Sequence, residues 1–211
     1  MNRNLSTEAV LFDMDGTLID AKLWHYEALN EALGIFGFEI TYEDHLDRFD
    51  GLPTRRKLEI LSKEYGLPQN LFPIISSVKQ ERTVRHIAKF CFPRVEQLLM
   101  FNWLREREIK IAVVTNSIRL TAEAMLASAG VLPFLDLLVT NEDVAHGKPE
   151  PEIYLTAMAR LELSPSQCLV VEDHAYGVDS ARAAGCRVIK VSEVEEVRIS
   201  LLERALNQVD H

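Results

Sequence analysis

The stretch AVLFDMDGT, residues 9–17, joins a short apolar run to two carboxylates and a glycine. An apolar run without two-residue alternation is typical of a strand buried on both faces of a parallel sheet. Asp13 and Asp15 follow it, and Gly16 permits a bend that points both side chains into the crevice beyond the sheet. Neighbouring carboxylates repel one another unless a cation lies between them, so the pair indicates Mg²⁺. An aspartate-rich turn is the alternative interpretation.

Four further apolar runs resemble the first one and predict four more buried strands. Helical patterns lie between the later runs, and Gly130 and Gly185 stand where left-handed helix ends are expected. Alternation of strand and helix predicts a doubly wound α/β sheet. The four runs are residues 109–114, 135–139, 168–171 and 188–191.

The long interval between the first and second runs reads mostly as helix. We therefore predict an inserted helical subdomain at residues 21–92, with the core formed by residues 1–20 and 93–211. Residues 21–93 carry ten basic and ten acidic side chains, so the whole negative charge belongs to the core. Two apolar stripes define the predicted helices: Ala28, Leu29, Ala32, Leu33 and Phe36 before Gly37, and Leu58, Leu61 and Tyr65 before Gly66.

Composition excludes several classes of protein. The 211 residues are 47% hydrophobic and 26% charged, so the chain can bury a core. Its net charge of −9 argues against broad nucleic-acid binding and against docking on anionic membranes. Three cysteines without CxxC spacing indicate neither a disulfide framework nor a zinc site. With a polar start and no long apolar window, we expect a cytoplasmic protein.

Polar side chains follow the other predicted strands as well. Thr115, Asn116 and Ser117 come after the second run, and they offer hydroxyl and amide donors for a phosphate oxygen. Lys148, stiffened by flanking prolines, follows the third run and can neutralise a phosphate. A second carboxylate pair, Glu172-Asp173, ends the fourth. Such groups at four successive strand ends indicate one phosphate-handling site.

These residues resemble, in order and spacing, the four motifs of the haloacid dehalogenase superfamily. The motifs are Asp13-x-Asp15-Gly16-Thr17, Thr115, Lys148-Pro149 and Glu172-Asp173. The chain is more closely similar to the β-phosphoglucomutase-like phosphatases, whose cap is a helical insertion after the first motif. The resemblance covers nearly the whole chain, although only in outline across residues 38–92. It implies an α/β Rossmann-like core, an inserted α-helical cap and Mg²⁺ dependence.

The resemblance also implies a role for each matched residue. Asp13 would be the nucleophile that becomes an aspartyl-phosphate, and Asp15 would be the general acid and then the base. Thr115, Lys148 and Asn116 would hold the transferring phosphoryl group. Mg²⁺ would be bound by Asp13, by the backbone carbonyl of Asp15, and by Asp173, with Glu172 as a direct or outer ligand.

Three positions in or beside these motifs are less certain. His25 stands where similar caps place a histidine that contacts the acid–base aspartate, but it also suits a helix surface. Arg55 lies in a segment similar to the substrate-recognition loop of the cap, one residue later than in the mutases. His174 replaces the small hydroxyl residue that usually follows the fourth-motif aspartate.

Three other activities use related motifs. A receiver domain places its phosphoacceptor aspartate on the third strand and is about half this length. A haloacid dehalogenase proper lacks the second aspartate, because carbon–halogen cleavage needs no proton for the leaving group, whereas Asp15 is present. A phosphomutase shares every motif with a phosphatase, so the sequence leaves this alternative open.

The cap sets an expectation for the substrate. We expect it to close over the crevice and to exclude large ligands. The predicted cap has two groups of basic side chains, which are either solvated surfaces or sites that attract an anionic substrate. The basic stripe consists of Lys79, Arg82, His86 and Lys89, and the basic cluster consists of Arg55, Arg56 and Lys57. The expected partner is a small phosphomonoester, with no nucleic acid and no membrane, and the protein is expected to be a monomer or weak dimer.

Overall fold

The computed structural model describes residues 7–207, which divide into two compact units. One unit consists of Met1–Asp20 and Phe92–His211, and the other is Ala21–Cys91. Most of the polar N-terminal stretch, on which the expectation of a cytoplasmic protein partly rests, lies outside the described residues. Within residues 7–207, no helix has the length and apolar character needed to cross a membrane.

The first unit contains a five-stranded parallel sheet, which confirms the predicted fold class. Its order is β3-β2-β1-β4-β5, so the strand that carries Asp13 is the central one. The chain reverses its direction of winding between β1 and β4, where ligands of open α/β sheets bind. The strands are β1 Ala9–Phe12, β2 Lys110–Val114, β3 Leu137–Val139, β4 Cys168–Glu172 and β5 Arg187–Lys190.

Helices connect these strands and make up the second unit. In the described part of the chain they are α1 Lys22–Gly34, α2 Tyr42–Asp44, α3 Thr54–Tyr65, α4 Phe72–Phe90, α5 Val95–Arg105, α6 Arg119–Ser128, α7 Glu152–Leu161, α8 Ala175–Ala183 and α9 Ile199–Asn207. Gly130 and Gly185 have φ of 70° and 84° just after α6 and α8, as predicted. Only glycine adopts this backbone at no steric cost.

The centre of the sheet is covered on both faces, which explains the mostly apolar sequences of β1, β2 and β4. Leu11 and Val170 belong to one buried cluster together with Ile153 and Tyr154 of α7. On the opposite face, the ring of Phe12 meets that of Phe101 from α5 edge-on, with centroids 5.5 Å apart. A strand buried on both faces does not alternate apolar and polar residues. The first polar side chains therefore occur where the strand ends.

The register of the central strands brings the polar strand ends together. Phe12 pairs with Val113 on one side and with Val171 on the other. The backbone N–H of Asp13 continues the ladder by donating to the carbonyl of Val171 at 2.9 Å. Asp13 therefore stands beside Glu172, at the carboxyl end of the sheet.

The helical unit has its own apolar core, formed mainly by α1, α3 and α4. Leu29 and Leu33 from α1 pack with Leu58 and Leu61 from α3, as the two stripes predicted. Tyr65 departs from the prediction, because its side chain is 51% exposed at the end of α3.

The basic stripe of α4 contacts the neighbouring helix α1. Arg82 lies 3.1 Å from Glu31, and His86 lies 3.5 Å from both Glu27 and Glu31. Arg82 thus forms an ion pair between the two helices, and His86 contacts the same face of α1.

His45 is fully buried in the helical unit, at the start of a π-helical turn that spans His45–Phe49. Burial, reinforced by the positive charge of Lys57, lowers its pKa to about 3 from an ordinary 6.5. The rings of Tyr26 and Tyr42 contact it, and the charges of His25 and Lys79 oppose its protonation further. The native protein therefore keeps this imidazole neutral while the unfolded chain protonates it below about pH 6.5.

We expect this difference to make stability fall on acidification. Because the unfolded state binds the extra proton, His45 should remove about 2 kcal/mol of the free energy of unfolding between pH 7 and pH 5. His45→Phe keeps a ring between the two tyrosines and should lose that part of the decline. Urea unfolding of both proteins at the two pH values measures it. An equal decline in the variant would show that other groups cause the pH dependence.

Candidate active site

Lys148 is the centre of the ion-pair network at the end of the sheet. Its ammonium lies 2.5 Å from Oδ1 of Asp13 and 2.5 Å from Oε1 of Glu172, and it donates to the carbonyl of Val114 at 2.8 Å. The three charged side chains are almost completely buried. Each comes from the end of a different strand or from the loop after it, which is why residues 135 positions apart meet here.

The carboxylates of this cluster carry more negative charge than the single ammonium balances. Burial, followed by repulsion from Glu172, raises the pKa of Asp13 well above its ordinary value, although Lys148 opposes the rise. Burial by itself lowers the pKa of Lys148, but the two carboxylates outweigh it and the pKa is raised. The lysine is therefore firmly cationic, and the carboxylates around it lack enough positive charge.

A metal ion would supply the missing charge. Carboxylate oxygens of Asp13, Glu172 and Asp173 all lie within 4.8 Å of one another, and all three residues are buried. Three carboxylates against one ammonium leave a formal charge of −2 in a place where charge is costly unless it is paired or binds a metal. Oxygen donors of this kind suit Mg²⁺, so the residues present fit the ion that the sequence predicted.

Asp15 contacts the loop that follows β2. Its side chain is only partly buried, and its Oδ2 accepts a hydrogen bond from Oγ of Ser117 at 2.9 Å. Met14 between the two aspartates is fully buried, and Gly16 has a φ of 85°, so the bend predicted at the glycine is present. The two carboxylates of the first motif thus have different partners, which suits them to different chemical tasks.

The loop after β2 is folded on itself and on the lysine. Oγ1 of Thr115 accepts from the backbone N–H of Ser117 at 3.0 Å, so its own hydroxyl proton is directed elsewhere. The amide of Asn116 spans the peptide of Lys148, accepting from its N–H at 2.9 Å and donating to its carbonyl at 3.1 Å. A Cβ on Gly147 would collide with the same amide. Asn116 therefore positions Lys148, while a direct contact between Asn116 and phosphate stays a prediction.

Sequence reasoning missed two residues of this site, Tyr154 and Gly177, and the contact of Ser117 with Asp15. Tyr154 is fully buried on α7, and its hydroxyl donates to Oε1 of Glu172 at 2.6 Å. Gly177 faces the carboxylate of Glu172 so closely that any side chain would strike it. Ser117 was noted only as a donor for phosphate. The sequence could not reveal the role of Tyr154, because a tyrosine in an apolar helix pattern looks the same whether its hydroxyl makes a polar contact or its ring only packs.

His174 has a structural explanation. It is the N-cap of α8, and its Nδ1 accepts from the backbone N–H of Tyr176 at 3.2 Å. Capping of this kind is the usual role of serine, threonine or aspartate at a helix start. The imidazole therefore does what the expected small hydroxyl residue would do.

The two predicted cap residues, His25 and Arg55, belong to the helical unit. Nδ1 of His25 lies 3.3 Å from the ammonium of Lys79. Arg55 is largely exposed, lies 3.2 Å from Glu59, and lines a cavity of about 550 Å³ with residues such as Gln69 and Phe72. Their assignment to substrate recognition stays a prediction.

The family model described as "Haloacid dehalogenase-like hydrolase" matches residues 10–191. The chain belongs to this family. The match includes all of the parallel sheet except Ala9, together with every strand end described above, which confirms the resemblance drawn from the four motifs.

Two relatives of this family member have phosphatase names. The chain is 33% identical to the phosphorylated carbohydrates phosphatase of Thermotoga maritima, covering 84% of this chain and 82% of the relative. It is 32% identical to the fructose-1-phosphate phosphatase YqaB of Escherichia coli, covering 86% and 95%. This haloacid dehalogenase-like hydrolase is a phosphoric monoester hydrolase, as the sequence predicted.

A solved structure of the same fold is that of β-phosphoglucomutase from Clostridium difficile. It superposes with a TM-score of 0.82 at 20% identity and covers 95% of this chain and 97% of its own. This likeness confirms the architecture.

Proposed function

We propose that this hydrolase is a Mg²⁺-dependent phosphatase of small phosphomonoesters, with sugar phosphates as the favoured class, and that it works through an aspartyl-phosphate on Asp13. The observation that carries the proposal is the contact of Asp13 with Lys148 at the carboxyl end of the central strand, with Asp15 held separately. A nucleophile, a cation for the phosphoryl oxygens and a proton donor are the parts that phosphoryl transfer requires.

In the first step, Asp13 attacks phosphorus and the bond to the leaving oxygen breaks. Lys148 opposes the rise in the pKa of the buried Asp13 carboxyl, and its positive charge stabilises the phosphoryl oxygens, where negative charge spreads in the transition state. Thr115 contributes its hydroxyl proton to the same oxygens. The three N–H groups of the ammonium are donated to three protein oxygens, which hold it in place, so it acts on the phosphoryl oxygens through its charge.

Asp15 transfers the protons. It gives one to the leaving oxygen, and afterwards accepts one from the water that hydrolyses the aspartyl-phosphate. The hydrogen bond from Ser117 to Oδ2 orients the carboxyl group of Asp15 for this exchange.

The metal would be held by the side chains of Asp13 and Asp173, the backbone carbonyl of Asp15, and one oxygen of Glu172. When bound, Mg²⁺ would lower the repulsion between Asp13 and the anionic substrate. The buried carboxylates within 4.8 Å of one another support this assignment.

The names of the relatives support a sugar phosphate as substrate. One relative is named for phosphorylated carbohydrates and the other for fructose 1-phosphate, and each is matched over more than four fifths of its length. The neutral helical unit would act as the cap, with His25 and Arg55 as its substrate contacts.

Phosphate release with and without metal tests the proposal. We expect purified protein to hydrolyse p-nitrophenyl phosphate with Mg²⁺, to lose that activity in EDTA, and to regain it when Mg²⁺ is restored. A panel of phosphorylated metabolites that includes hexose phosphates, nucleotides and phosphoacids then ranks substrates by kcat/KM. Full activity in EDTA would refute the metal assignment, and a nucleotide as the best substrate would refute the sugar phosphate class.

The phosphomutase alternative is tested by the same panel. With β-glucose 1-phosphate, a phosphatase releases inorganic phosphate, whereas a mutase forms glucose 6-phosphate. We expect phosphate release to dominate.

A further inference from the structure

One oxygen of Glu172 has two hydrogen-bond donors. Oε1 accepts from the ammonium of Lys148 at 2.5 Å and from the hydroxyl of Tyr154 at 2.6 Å. The same ammonium lies 5.2 Å from the centre of the Tyr154 ring, so lysine and tyrosine pack against each other as well as on the carboxylate. All three side chains are at least 95% buried.

The backbone of α8 closes the other side of this carboxylate. A Cβ built on Gly177 would overlap both oxygens and the carboxyl carbon of Glu172. Lys148 and Tyr154 therefore fix the direction of the carboxylate, and Gly177 leaves it no space to move into the helix. We call these three residues the Glu172 clamp.

The clamp limits what Glu172 can give to a cation. A carboxylate oxygen has about two lone-pair directions, and both of those on Oε1 are used by donors. Only Oε2 is left, so Glu172 can ligate a metal with one oxygen and not with two. Mg²⁺ demands near-ideal octahedral geometry, whereas Ca²⁺ takes six to eight oxygens and accepts two from one carboxylate.

We propose that Tyr154 is a positioning residue that restricts Glu172 to one metal-binding oxygen and so favours Mg²⁺ over Ca²⁺ at this site. The hydroxyl acts through Glu172 and needs no contact with substrate. The inference rests on the proposed metal site, and it concerns the choice of ion rather than the reaction.

Tyr154→Phe is the decisive variant, because it removes one hydroxyl and keeps the buried ring and its packing on Lys148. Calorimetric titration with MgCl₂ and with CaCl₂ gives both dissociation constants without any turnover. We expect the ratio of Ca²⁺ to Mg²⁺ affinity to rise about tenfold in the variant, the scale of one hydrogen bond to a charged group. Inhibition of p-nitrophenyl phosphate hydrolysis by Ca²⁺ should strengthen in parallel.

Two further variants separate this inference from a general structural effect. Tyr65→Phe removes an exposed hydroxyl in the helical unit, where it accepts from Arg48, and should leave the affinity ratio unchanged. In a Glu172→Gln background, Tyr154→Phe should also leave the ratio unchanged, because an amide does not chelate with two oxygens.

Three outcomes overturn the inference, and they are distinguishable from one another. An unchanged ratio in Tyr154→Phe, with wild-type protein that binds Mg²⁺, refutes the role of the hydroxyl and leaves the proposed function intact. An equal rise in the Glu172→Gln background shows that Glu172 is not the mediator. Wild-type protein that binds neither ion refutes the metal site itself.

Discussion

Asp13→Asn should abolish turnover while the protein stays folded. An amide oxygen is a poor nucleophile, so no aspartyl-phosphate can form, and we expect kcat/KM to fall by about 10⁴ or more, the scale on which loss of a covalent nucleophile acts. Hydrolysis of p-nitrophenyl phosphate with saturating Mg²⁺ measures the loss. Acid-quenched protein incubated with ³²P-labelled substrate should carry label in the wild type and none in the variant.

Folding is the necessary control for that result. Because the pKa of Asp13 is raised by burial and by Glu172, its charge is unfavourable in the native state, and the amide should leave Tm unchanged or higher. Asp20→Asn removes an exposed aspartate from the same segment and should keep full activity. A variant that still hydrolyses substrate at a tenth of the wild-type rate or faster would exclude Asp13 as nucleophile.

The fold was predictable because its signals are local and strong. The strands at the centre of the sheet are short apolar runs, because burial on both faces leaves few polar positions in them. The glycines at 130 and 185 marked helix ends, since the left-handed backbone there excludes other residues at low cost. The prediction that Tyr65 belongs to the buried stripe of α3 was wrong. Helical spacing shows which residues share a face, but not where along the helix that face ceases to be covered.

The site was predictable only where strand ends carry it. Parallel strands end at one edge, so Asp13 and Glu172 could be expected to meet once both were placed on strands. Tyr154 comes from a helix, and its hydroxyl reaches Glu172 only because α7 packs that ring under the sheet. The contact of Asn116 with the Lys148 peptide depends on loop conformation, which spacing does not encode.

Asp15→Asn should separate the two halves of the reaction. The amide can still accept the hydrogen bond from Ser117, so the loop is kept, but it neither donates nor accepts the proton of catalysis. We expect kcat to fall by about 10²–10⁴, the usual contribution of a general acid–base group. Formation of the aspartyl-phosphate should slow more with a sugar phosphate than with p-nitrophenyl phosphate, because the alkoxide of the sugar must be protonated as it leaves.

The kinetics with p-nitrophenyl phosphate carry the sharper test. Its leaving group departs without a proton, so Asp13 in the Asp15→Asn variant should still attack, and hydrolysis of the aspartyl-phosphate should then stall. We expect a burst of p-nitrophenol equal to the enzyme concentration, followed by slow release. Calorimetry should show that the variant binds Mg²⁺ as the wild type does, because only the backbone carbonyl of Asp15 is assigned to the metal. If the burst is missing and Mg²⁺ affinity is lost, the Asp15 side chain is a metal ligand and the proton must be transferred by another group.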